Sequence, residues 1–195
     1  MLFGLSAIGA YLLGSFNPAI WMSRRLFRQD IRTVGSRNPG TTNTLRTFGF
    51  FPALFVFLFD FCKVFIPVYL LVSETKNLWL AVFAALSVLL GHCFSVFYGF
   101  HGGKGVACAF GAICALAPTV ALLLLAVCAV LSVSVRHVFL SPVLTAGLMI
   151  PVLYIYAFVT GMDTIPLLVF SVGVFSVLYN RHLPQIHRAF SAQST

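Results

Sequence analysis

The sequence predicts an all-α, polytopic integral membrane bundle of about seven transmembrane helices. Of its 195 residues, 60% are hydrophobic and 8% charged, and the mean hydropathy is +1.01. A soluble domain of this size cannot hide so much apolar surface, so the bilayer is its natural solvent. The apolar residues also fall in long runs, near 2–22, 50–72, 78–98, 106–135, 139–160 and 164–180. A membrane β-barrel would break such runs with a polar residue at every second position. The basic residues, finally, collect in the short intervals between runs. The chain therefore reads as one membrane-embedded domain, residues 1–195.

The first run has neither a basic start nor a small-residue cleavage site, and it continues to Met22 before Arg24 and Arg25. It reads as a span rather than a signal peptide. Runs two and three form a hairpin around Ser73–Asn77. The fourth run is long for one span and carries Pro118 near its middle, so it is one tilted helix or two helices turning at Ala117-Pro118. Two crossings put Arg24, Arg25, Arg28, Arg32, Arg37, Arg46, Lys104, Arg136, Arg181 and Arg188 on one side, with only Lys76 opposite. The positive-inside rule selects that arrangement, with the N-terminus outside and the C-terminus cytoplasmic. The last two runs meet at Gly161–Asp163.

Charge excludes some functions. The net charge of +8 belongs to short loops rather than to a solvated aromatic surface, so no nucleic-acid partner is expected. The five cysteines (Cys62, Cys93, Cys108, Cys114 and Cys128) stand singly, without a C-x-x-C pair, and point to neither a metal nor a disulfide. The acids are Asp30, Asp60, Glu74 and Asp163, and no histidine has an aspartate at H-x-x-x-x-D spacing. A Ser-His-Asp triad is not supported. Asp60 and Lys63 fall mid-span at i, i+3, where they serve function or simply pair with each other.

Two polar loops carry the chemistry. Phe100-His101-Gly102-Gly103-Lys104-Gly105 sets three glycines and a lysine before a helix expected to start near Val106, a place where backbone N–H groups and the helix's positive end can hold a phosphate. It is not a Walker A loop, because Gly105 stands where magnesium would need Ser or Thr. The alternative is a flexible turn with a snorkelling lysine. The loop from Gly35 to Arg46 offers hydroxyls (Ser36, Thr41, Thr42), amides (Asn38, Asn43), Gly40 and an arginine able to clamp a phosphate bidentately. Its plainer reading is a Pro39-Gly40 turn with Thr42 or Asn43 capping the next helix. With the tail Asn180–Arg188, both loops lie on the cytoplasmic side and can converge on one pocket.

These stretches, Gly35–Arg46, Phe59-Asp60-Phe61-Cys62-Lys63 and Gly91-His92 through Gly102-Gly103-Lys104-Gly105-Val106-Ala107, resemble the PlsY family, the bacterial acyl-phosphate:glycerol-3-phosphate acyltransferases, over essentially the whole chain. The resemblance implies a seven-helix inner-membrane enzyme with its active site on the cytoplasmic face. It would move a fatty acyl group from acyl phosphate to the 1-position of sn-glycerol 3-phosphate, giving lysophosphatidic acid and phosphate. Ser36 and Arg46 match the first motif's essential serine and arginine. Gly102, Gly103, Lys104 and Gly105 match a glycerol 3-phosphate-binding motif, and Arg181 and His182 the start of a third motif. There the sequence departs, with Pro184 and Gln185 replacing an acid and an asparagine. His101, Ser95 and Arg37 stand where lysine, proline and glycine are usual.

The expected catalytic residues are Ser36, Arg46, Lys104 and His182. The expected substrate-binding residues are Asn38, Gly40, Thr42, Asn43, Gly102, Gly103, Lys104, Gly105, Arg181 and Gln185. No cofactor or metal is expected, and the partners are acyl phosphate, glycerol 3-phosphate and membrane lipids around a monomer. Because acyl phosphate is already activated, direct attack by the glycerol hydroxyl needs positioning more than a nucleophilic side chain, with His182 or a donor phosphate oxygen taking the proton. An acyl-Ser36 intermediate is disfavoured, since no base is paired with Ser36. A transporter of phosphorylated anions is the competing class, but repeated halves and a polar path through the bundle are missing from the sequence.

Overall fold

The structure, a computed structural model, describes residues 2–135 and 137–191, and Arg136 lies outside them. The described residues form helices and short 3-10 turns. The first apolar run is not one helix. It divides into α1 (Leu2–Ser15) and α2 (Pro18–Leu26), which corrects the single span expected to Met22. Asn17 makes the break: its backbone is extended, and its Oδ1 accepts from the Ile20 N–H at 3.0 Å. Pro18, at the first helical position, lacks an N–H that would have gone unpaired anyway.

A 3-10 turn, Ile31–Thr33, leads towards α3 (Thr41–Phe48), and Gly49 in the left-handed region (φ +90°) turns the chain directly into α4 (Phe50–Thr75). Asp30 anchors this approach by accepting from Arg32 and Arg24, and the Arg32 hydrogen bond holds its carboxyl well below the usual range. Then come α5 (Leu78–Cys93), α6 (Val106–Leu116), α7 (Pro118–Ser134), α8 (Ser141–Thr160) and α9 (Thr164–Ser191). The fourth run does break at Ala117, with Pro118 opening α7. The tail that follows the last run is not a separate segment: α9 continues through Pro184 to Ser191.

Among the described residues, four segments are long and apolar enough to cross a membrane, namely Phe50–Thr75, Leu78–Tyr98, Val138–Thr160 and Thr164–Ser191. The chain is an all-helical integral membrane protein. Its exterior is correspondingly greasy: Phe51, Val133 and Phe158 are 80%, 90% and 79% exposed. Such apolar surface is stable only against lipid. Inside, small residues let backbones touch, as they do between membrane helices. A Cβ on Gly14 would lie 2.1 Å from Val88 O, and one on Gly91 would lie 2.1 Å from Tyr11 O, so α1 and α5 cross at their glycines. Gly111 admits Phe61 in the same way where α6 meets α4. α8 and α9 form a hairpin around Gly161–Asp163, with Gly147 against Phe175.

Candidate active site

Gly102 and Gly103 form a buried strip between α5 and α9. The Gly102 N–H donates to Cys93 O at 3.2 Å and the Gly103 N–H to His92 O at 3.0 Å. Their carbonyls accept from Arg181, at 2.7 Å from Nη2 to Gly102 O and 3.1 Å from Nε to Gly103 O. The expectation of free N–H groups at these two glycines is therefore corrected. They are bare for a different reason: a Cβ on Gly102 would sit 1.9 Å from His92 O, and one on Gly103 would sit 2.2 Å from His92 Nε2. Arg181, expected on substrate, is spent on this strip and on the face of Phe94, 5.4 Å from the ring centre.

What the strip presents is Lys104 and Gly105. Gly105 (φ +87°) precedes α6, whose first-turn N–H groups have no partner within the helix. The Lys104 ammonium, half-buried, donates to Gln185 Oε1. Burial, and then the charges of Arg181 and Arg188, bring its pKa down from 10.5 to about 8. Gln185 lies one turn beyond His182 on the same face of α9, because the helix persists past Pro184. His182 is buried, and its Nδ1 donates to Leu178 O at 2.7 Å. A carbonyl can only accept, so Nδ1 carries the proton and Nε2 keeps the lone pair.

The Gly35–Arg46 loop is held from beneath. Asn43 is buried; its Oδ1 accepts from the Ser36 N–H at 2.8 Å, and its Nδ2 donates to Ile31 O (3.2 Å) and Val34 O (3.0 Å). It staples the loop instead of capping the next helix, and it also lines the cavity described below. Gly40 occupies the α3 cap position with no side-chain bond. Among the described residues, the side chains of Ser36, Asn38, Thr42 and Arg46 have no hydrogen-bonding partner, and all four face a common cavity. Asn17 completes the support by donating from Nδ2 to Pro39 O at 3.1 Å. Sequence reasoning missed this residue, although Asn-Pro inside an apolar run is a readable helix-start signal.

Behind the glycine strip, Asp60, Lys63 and His92 form a buried cluster. Lys63 Nζ lies 2.7 Å from Asp60 Oδ1 and 3.0 Å from His92 Nδ1, and donates to Gly14 O (3.2 Å) and Phe16 O (3.0 Å) at the end of α1. The i, i+3 pair does meet, and Asp60 and His92 also line the cavity described below. Ligand atoms of Asp60, His92 and Cys108 lie within 4.8 Å of one another, but the lysine ammonium already fills the cationic position among them.

A single cavity of about 700 Å³ joins these parts. Its polar end is formed by Ser36, Asn38, Gly40, Thr41, Thr42, Asn43, Arg46, Lys104, Gly105, His182 and Gln185. Its other walls, from α6, α7, α8 and α9, include Ile113, Leu124, Leu125, Met149, Val174 and Leu178. Gly102, Gly103 and Arg181 do not line it. The arrangement can hold anions at one end and a hydrocarbon chain at the other.

The family described as Glycerol-3-phosphate acyltransferase matches residues 4–192. A protein of that name from Aquifex aeolicus is 35% identical over 189 residues, covering 95% of this chain and 94% of the relative. Those of Halalkalibacterium halodurans and Francisella philomiragia are 41% and 47% identical over 121 and 102 residues. These two matches span only 59% and 50% of the relatives' length. The crystal structure of PlsY, described as an integral membrane glycerol 3-phosphate acyltransferase in its glycerol 3-phosphate form, shares the fold with a TM-score of 0.85 and 33% identity, over 98% of this chain and 94% of that one. Its lysophosphatidic acid form gives 0.83 and 31%. Likeness this extended, in sequence and in the helices that shape the cavity, makes the chain a member of the PlsY family of glycerol-3-phosphate acyltransferases.

Proposed function

We propose that the protein transfers a fatty acyl group from acyl phosphate to the 1-hydroxyl of sn-glycerol 3-phosphate, releasing lysophosphatidic acid and phosphate. The observation that carries this reading is the cavity itself, in which cationic and amide groups open straight into an apolar bore. Family membership supports the acceptor, and the chemistry of the two ends supports the donor. Arg46, with the free hydroxyls of Ser36 and Thr42 and the amide of Asn38, holds one phosphate. Lys104, Gln185 and the first turn of α6 hold the other. The acyl chain lies against Leu124, Leu125, Met149 and Val174.

The acceptor oxygen attacks the carbonyl carbon, and the bond from that carbon to the phosphate oxygen then breaks. Phosphate leaves with the bonding electrons. The hydroxyl proton passes to His182 Nε2 or to an oxygen of the departing phosphate. Holding both reactants in line supplies much of the acceleration, and the surrounding donors stabilise charge on the carbonyl oxygen and leaving group. No side chain need be acylated.

In this reading the chain crosses the bacterial inner membrane seven times as a monomer, with the N-terminus outside and the active site and C-terminus at the cytoplasmic face. The run of basic residues from Arg24 to Arg46, with Lys104, Arg181 and Arg188, supports that orientation. The test is direct: purified protein given palmitoyl phosphate should release phosphate and form lysophosphatidic acid only when glycerol 3-phosphate is added. Phosphate release without an acylated product, or turnover with acyl thioesters alone, rejects the assignment.

A further inference from the structure

The wall of the cavity formed by α7 and α8 contains two polar atoms that the proposed reaction leaves idle. Among the described residues, Thr145 Oγ1 and His137 Nε2 are both buried without a hydrogen-bond partner, and both residues line the cavity. Thr145 is 9% exposed. The His137 ring is fixed by stacking on Phe139, 5.4 Å between centres. Ser132, on the same wall, is already satisfied by donating to Cys128 O at 2.7 Å. Ser15 and Ser141 also hold unpartnered hydroxyls, but neither lines the cavity. Buried polar groups without partners are few in native proteins, and each one facing a cavity calls for a partner there, a bound group or a water.

We propose that His137 and Thr145 form a hydroxyl-recognition subsite that takes an alcohol group of a bound substrate beside the reacting centre. The inference rests on the acyltransferase reading above. Position supports it: α8 and α9 are antiparallel, and Gly147 packs on Phe175, so Thr145 lies level with Val177 and Leu178, little more than a turn from His182. Chemistry supports it as well. A threonine hydroxyl both donates and accepts, and Nε2 does one or the other by tautomer, which suits a group that also does both. The surrounding wall of Val138, Phe139, Pro142, Ala146 and Met149 is apolar and favours a neutral alcohol over a phosphate. A plain methylene chain would leave both atoms unpaired. Two substrate groups meet the description: the 2-hydroxyl of glycerol 3-phosphate, and a hydroxyl on the first carbons of the acyl chain.

The experiment compares kcat/KM for two substrate pairs in the wild type, Thr145→Val, Thr145→Ser and His137→Phe. One pair is glycerol 3-phosphate against 3-hydroxypropyl phosphate, which lacks the 2-hydroxyl. The other is 3-hydroxypalmitoyl against palmitoyl phosphate. In the wild type one pair should favour its hydroxylated member by about tenfold, the worth of one buried hydrogen bond. Thr145→Val and His137→Phe should each collapse that ratio towards one, and Thr145→Ser, which keeps the hydroxyl, should retain it. The pair that responds identifies the source of the alcohol. Ratios identical in wild type and variants overturn the subsite and leave a trapped water as the partner. The same acceptor comparison, read as ligand-induced rises in thermal midpoint, needs no turnover. An inactive preparation that still distinguishes the two acceptors would sink the acyltransferase reading and keep the subsite.

Discussion

Lys63 Nζ sits 3.0 Å from His92 Nδ1, and through that contact the end of α1 is tied to the glycine strip beside the cavity. The same histidine accepts the Gly103 N–H on its carbonyl and fills the space beside Gly103 with its ring. On the far side Arg181 grips both glycine carbonyls. Lys104 is thus presented by a strip clamped on two sides, a preorganised support of the sort a reacting pair requires.

Breaking the buried pair should destabilise the fold. Lys63→Met leaves the buried Asp60 carboxyl with His92 alone, 3.3 Å away, and should cost about 3–5 kcal/mol. Adding Asp60→Leu should recover part of that loss, so that the double variant is more stable than the sum of the single effects predicts. Thermal melts in detergent at fixed pH measure all three. Strict additivity would show that the two residues are not one unit.

Gly103→Ala should cripple the site through His92. With a Cβ placed 2.2 Å from Nε2, either the ring or the strip must move, and Lys104 moves with the strip. A displacement of this size should lower kcat/KM by about 100-fold. His92→Ala clears the space, so in that background the further cost of Gly103→Ala should shrink. Kinetics of the four proteins form the cycle, and an undiminished second cost would place the fault elsewhere.

The acceptor dependence should show an alkaline limb. Lys104 faces Arg181, Arg188, His182 and Gln185, and in the free protein its pKa is about 8. It is charged below that value and neutral above it, so kcat/KM for glycerol 3-phosphate should fall as pH rises through 8. Lys104→Arg keeps its charge across the range and should lose the limb, whatever its absolute rate. A limb unmoved in the arginine variant would assign it to another group.

Orientation is open to chemical labelling. In a cysteine-free background, cysteines at Ser36 and His187 should react only with reagent admitted to the cytoplasm, and a cysteine at Asn77 only from outside. Labelling of His187→Cys from outside would separate the α9 end from the cytoplasmic side and dismantle the proposed topology.

Much of the architecture was legible because it is written in local signals. Pro118 ends one helix and opens another, and the i, i+3 spacing of Asp60 and Lys63 makes their meeting readable in one dimension. The glycines were legible as a motif but not as a cause. What requires them is His92, ten residues earlier across a turn, and no pattern in the sequence announces which atom will occupy a missing side chain's place. The stapling role of Asn43 was illegible for a similar reason. Its amide is spent on Ile31, Val34 and Ser36, whose closeness depends on the loop's fold. Asn17-Pro18 carried its own signal, which the greasy residues around it masked. The last apolar run stops near residue 180 because polarity changes at Asn180, whereas α9 itself continues through Pro184 to Ser191.

The unbroken course of α9 has a consequence for how such a protein can diversify. Val174 and Leu178, on the apolar part of the cavity wall, and His182 and Gln185, at its polar end, ride on one helix, with Pro184 between the last two. Any shift of this helix that reshapes the apolar wall also moves His182 and Gln185, the partner of Lys104. On the other walls a residue such as Ile113, Leu124, Leu125 or Met149 can be trimmed or enlarged without moving that helix.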